Sequence, residues 1–251
     1  MRHTIDEDYL ELFRAAHGAQ IAASLAVSDP RDFRGQVPEE WIALACSLDP
    51  GALRSIWSAA GTCFDRFVNY LSSGVQGCGI LAVGEVPVLV LALPDWDEQG
   101  ADLSPGFCLM GPPTPESSVE AFAAQVGALP LTMQALWKVT SYLTLKEGST
   151  LCTLDSRLLS LTESPANLGN MRDPNGAPSV IECLEVAVVN REMVTCLTRM
   201  PGTSRWEDHL VRCFRSTREV ASAVRMTLAS KLADWTFHDY SPADAEAKIY
   251  I

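Results

Sequence analysis

A chain of 251 residues with 47% apolar side chains is long enough for one large domain or two small ones, each with a buried core. Its formal net charge of −12 is unevenly placed: residues 1–125 hold 17 acidic against 6 basic side chains, and residues 126–251 hold 14 against 13. Phosphate contacts need local positive charge, so nucleic-acid binding by the first half is disfavoured, and an acidic surface suits a basic protein partner instead.

No apolar run is long enough to span a bilayer, and the acidic start MRHTIDEDYLELF lacks the hydrophobic core of an export signal. The expectation is therefore a cytoplasmic protein with no membrane contact. Eight cysteines (46, 63, 78, 108, 152, 183, 196 and 213) are dispersed and form no CxxC pair. They read as small reduced hydrophobes, most of them buried, and no metal or cofactor site is expected.

Thr4 is positioned to cap a first helix over Ile5 to Leu25, with Asp6, Glu7 and Asp8 in its opening turn and Ile5, Tyr9, Leu12, Phe13 and Ala16 on one face. Pro38 opens a second helix that carries Trp41. Asp49-Pro50-Gly51 restarts the chain into Leu53, Ile56, Trp57 and Ala60, and Phe64, Phe67, Val68 and Leu71 extend the helical spacing to Gly74. Cys78 to Val83 and Val86 to Leu93 then flank Gly84-Glu85, a pair suited to a tight hairpin turn. The second run is almost wholly apolar and is predicted to lie inside a sheet.

Pro94 to Gly100 is polar and acidic and carries an aromatic. Asp95, Trp96, Asp97, Glu98 and Asp102 form the candidate partner-binding set, because a Trp among acids combines an interface anchor with charge complementarity. Gly111 to Glu116, with three prolines, opposes helix and central strand alike. It divides the chain into a helical portion plus β hairpin, 1–111, and an α+β portion, 112–251, either as separate units or as one continuous domain.

Beyond that break, Val119, Phe122, Val126 and Leu129 recur at helical spacing, Gly127 closes the helix in a left-handed conformation, and Pro130 opens another helix bearing Met133, Leu136 and Trp137. Ser141 to Leu145, Thr150 to Leu154 and Leu158 to Leu161 read as short strands. Asp173-Pro174-Asn175-Gly176 marks a turn. Val180 to Val189 and Met193 to Thr198 form a second hairpin. Ser204 is placed to cap a last helix from Trp206 to Leu232, with Leu210, Val211, Phe214, Val220, Val224 and Leu228 along one side. The class is α+β: a helical N-terminal portion followed by a mainly antiparallel sheet flanked by helices.

Catalytic signals are sparse. His209 and Cys213 fall four apart on the last predicted helix and are the one candidate base and nucleophile for an enzymatic alternative. Arg215, Arg218 and Arg225 line a basic stripe on the same helix. No GxSxG, P-loop, GxGxxG or HExxH motif occurs.

The amphipathic helix, the step Val126-Gly127-Ala128-Leu129-Pro130 and the following Leu136-Trp137 resemble the opening of the SMI1/KNR4 (SUKH) superfamily over roughly residues 114–235. The chain departs from that pattern at Thr140-Ser141-Tyr142, where the family usually places Gly or Asn-Gly. The resemblance implies an α+β domain and, for bacterial members, an immunity protein that neutralises a toxin, often a nuclease. The expected function is thus non-enzymatic occlusion of a basic toxin domain. An enzyme of another family, or a structural subunit of a secretion or phage-like assembly, are the alternatives.

Overall fold

The computed structural model describes residues 3–4, 29–83, 86–93, 106–141, 143–145, 171–172, 178–179, 182–188, 193–199, 204–208, 210–214, 220–227 and 229–230. A short strand β1 (His3–Thr4) opens the described residues, with Thr4 paired to Cys78; the predicted first helix, Ile5 to Leu25, lies outside them. A 3-10 turn (Pro30–Phe33) follows, capped by the Asp29 carboxylate, which accepts from the Arg31 N–H at 2.9 Å.

Three helices come next: α1 (Glu39–Ser47), α2 (Pro50–Ser58) and α3 (Asp65–Gly74). Local chemistry explains their limits. Glu39 and Glu40 complement the positive end of α1, and Leu48 closes it in a left-handed conformation, φ 51°, donating to the Leu44 carbonyl. Asp49 accepts from the Gly51 N–H at 2.9 Å and Pro50 takes the first helical position of α2, where no backbone donor is needed. Trp57 then meets Phe64 and Phe67 edge-on, with ring centroids 5.7 and 5.1 Å apart.

The predicted first hairpin is present as β2 (Gly77–Val83) and β3 (Val86–Leu93), paired antiparallel from Gly77–Ala92 to Val83–Val86. With β4 (Gly106–Met110) and β5 (Leu143–Leu145) they build a five-stranded sheet in the order β1-β2-β3-β4-β5. Only the β1–β2 pair is parallel. β3 is central, as its apolar run predicts: every residue from Val88 to Leu93 is buried, so both of its faces are covered. Cys78, Ile80, Leu89, Leu91, Cys108 and Met110 face the helices and join one core with Trp41, Trp57, Phe67 and Leu71.

Between β4 and β5 run α4 (Glu116–Val126) and α5 (Leu131–Trp137), the predicted helix–Gly–Leu–Pro–helix unit. Phe122 and Val126 are buried, and Phe122 packs edge-on against Trp137 at 5.9 Å. The proline-rich segment before α4 is hydrogen-bonded along its length. Thr114 donates to the Trp137 carbonyl at 2.9 Å, the Pro112 carbonyl accepts from Ser141 at 2.8 Å, and that of Gly111 accepts from the Thr140 hydroxyl at 3.0 Å. Because β4 precedes this segment and β5 follows it, the first sheet draws strands from both sides of the proline break.

Leu131, the first residue of α5, is 71% exposed. A solvated first-turn residue next to the positive helix end tolerates an acid, so Leu131→Asp is expected to change stability by no more than about 0.5 kcal/mol in a urea titration.

A second sheet holds β8 (Glu182–Val188), β9 (Met193–Arg199), β10 (Leu210–Phe214) and β11 (Val220–Met226) in the order β11-β10-β9-β8, antiparallel throughout. β6 (Met171–Arg172) and β7 (Pro178–Ser179) pair across the predicted Asp173–Gly176 turn, which itself lies outside the described residues, as do the predicted strands at 150–154 and 158–161. Leu184, Val186, Leu197, Trp206 and Leu210 of the second-sheet region belong to the same core as the helices. The α+β class holds, with the helices preceding the second sheet.

The predicted last helix is not present over 210–214 and 220–226, which form β10 and β11; 215–219 lie outside the described residues. Its apolar residues satisfy helical spacing, yet Leu210 and Val211 pair with Leu197 and Cys196 on β9, and these non-local contacts decide the outcome. Ser204 caps no helix there. Its carbonyl accepts instead from the Ala128 N–H at 2.8 Å.

Candidate partner-binding site

The acidic set Asp95, Trp96, Asp97, Glu98 and Asp102 lies outside the described residues, but the strands that carry it are defined. Leu93, at the end of β3, pairs with Gly106, at the start of β4. The segment 94–105 therefore joins two adjacent strands of the first sheet, the central β3 and its neighbour β4, at a paired end. It carries four acids and no Lys or Arg. At the same end of the sheet, Gly77 pairs with Ala92, and Gln76 donates to the Ala92 carbonyl at 2.8 Å, directly after the C-terminus of α3. The last turn of α3 holds no basic residue, so its carbonyl end adds a negative field there.

Elsewhere on the acidic half, two of the described acids have a basic partner. Arg31 pairs with Asp29 and Arg34 with Glu39, both at 3.3 Å and well exposed. Such exposed pairs contribute little to stability. They offset two of the four acids of the 3-10 turn and α1, whereas the sequence of 94–105 itself supplies no base.

The chemistry expected of the C-terminal helix is altered by its being a hairpin. Cys213 sits on β10 opposite Val194, so the helical spacing that linked it to His209 no longer applies; His209 lies outside the described residues. Arg225 is on β11, not on a helix, and Arg215 and Arg218 lie outside the described residues. Among the described residues, no group of three or more His, Cys, Asp or Glu side chains is placed to hold a metal ion, and no helix is long and apolar enough to cross a membrane.

Cys46, Cys63, Cys78, Cys108 and Cys196 form no disulfide. Cys78, Cys108 and Cys196 are buried as expected, whereas Cys46 and Cys63 are exposed. Desolvation by burial pushes the Cys78 and Cys108 thiols well above their ordinary range, with a smaller contribution from Cys46 at Cys78. The native state keeps these two thiols protonated, while the unfolded chain ionises them near pH 8.5. Stability is therefore undiminished below that value and falls above it, by about 1.4 kcal/mol per thiol per pH unit. Removing both thiols (Cys78→Ala with Cys108→Ala) is expected to flatten that alkaline slope in denaturant titrations between pH 8 and 10. Peptide mapping after brief alkylation of the native protein is expected to label Cys46 and Cys63 and to spare Cys78, Cys108 and Cys196.

One polar junction escapes the sequence reading. Arg199, at the end of β9, donates through Nη1 to the Val126 carbonyl at 2.6 Å and stacks over the Trp206 ring, 4.5 Å from its centroid. Trp206 Nε1 donates to that same carbonyl at 2.9 Å. The backbone continues the join: Ala128 donates to Ser204, Trp206 donates to Ala128 at 2.9 Å, and the Thr132 hydroxyl donates to Asp208 Oδ1 at 2.7 Å. The Gly-Leu-Pro step is thus the point where the helix pair is fastened to the second sheet.

Comparison with protein-family models, curated proteins and solved structures finds no match to this chain.

Proposed function

We propose that this chain is a non-enzymatic cytoplasmic immunity protein that binds a basic bacterial toxin domain, such as a nuclease, and occludes it. The mechanism is steric: the acidic segment 94–105 covers the toxin's substrate site, with carboxylates standing where substrate phosphates would bind. One observation supports the reading. The Leu93–Gly106 pair joins the flanks of this base-free segment on two adjacent strands, the buried central β3 and its neighbour β4. Fixed ends reduce the ordering cost of binding, and Trp96 supplies an aromatic anchor among the acids. The resemblance of Val126 to Trp137 to the SUKH opening supports the toxin class of partner.

Co-purification with the product of the adjacent gene tests the reading. A stable complex is expected, weakened at least about tenfold by Trp96→Ala with no change in the urea midpoint of the free protein. A complex of unchanged affinity would remove Trp96 and its neighbours from the interface.

A further inference from the structure

We draw no further inference here: the strongest candidate, the exposed apolar residues Ala121 and Ala124 of α4 with Leu131 at the start of α5, is a small apolar patch and nothing in the structure shows what covers it.

Discussion

Trp206→Ala is expected to lower the unfolding free energy by about 3–5 kcal/mol, read as a reduced urea midpoint at unchanged slope. The indole is 1% exposed and belongs to the central core, so truncation leaves a large cavity. It also removes one of two donors to the Val126 carbonyl and strips the aromatic face from the Arg199 guanidinium. Trp206→Phe separates the effects. It keeps most of the apolar contact and loses the Nε1 hydrogen bond, for an expected cost of about 1–2 kcal/mol. Equal losses for the two variants would show that the hydrogen bond, and not the packing, dominates the junction.

Gly127→Ala is expected to cost about 3 kcal/mol, for two independent reasons. With φ 102° and ψ 177° its backbone occupies a region that side chains other than glycine rarely adopt. In addition, a Cβ there would stand 2.6 Å from the Ser204 carbonyl oxygen and 2.7 Å from Arg199 Nη1. The carbonyl is backbone, already bonded to Ala128, and cannot swing aside. Gly61 is the control: its φ is also positive, at 65°, but nothing lies within 4 Å of the added carbon. Gly61→Ala is expected to cost only the left-handed penalty of about 1–2 kcal/mol. If the two glycines behaved alike, the close approach at Gly127 would carry no energy.

The contrast between these positions shows which parts of the fold could be read from the chain. α1, α2 and the β2–β3 hairpin were legible because their signals are local: a proline or Asp-Pro-Gly start, a repeating apolar face, and a two-residue turn between apolar runs. Gly127 was also legible as a helix terminator, but the predicted left-handed closure differs from the observed extended ψ. The segment that dictates that value, Ser204–Trp206, is more than seventy residues away. The C-terminal hairpin was misread for the same reason. Leu210, Phe214, Val220 and Val224 satisfy a helical face, and only pairing of Leu210 with Leu197, itself paired with Leu184, selects strands. Arg199 and Trp206 left no signal beyond an aromatic following an arginine. At the candidate site the composition of 94–105 was visible in the sequence, whereas the pairing of its ends was not.

The most direct test of the proposal measures the affinity of the chain for the product of the adjacent gene, the proposed toxin, by titration calorimetry at low and high salt. The comparison variant carries Asp95→Asn, Asp97→Asn, Glu98→Gln and Asp102→Asn. The wild-type complex is expected to weaken at least about tenfold as salt screens the segment, and the variant to bind weakly with little remaining salt dependence. Wild-type affinity and salt dependence retained in the neutralised variant would contradict recognition through the acidic segment between β3 and β4.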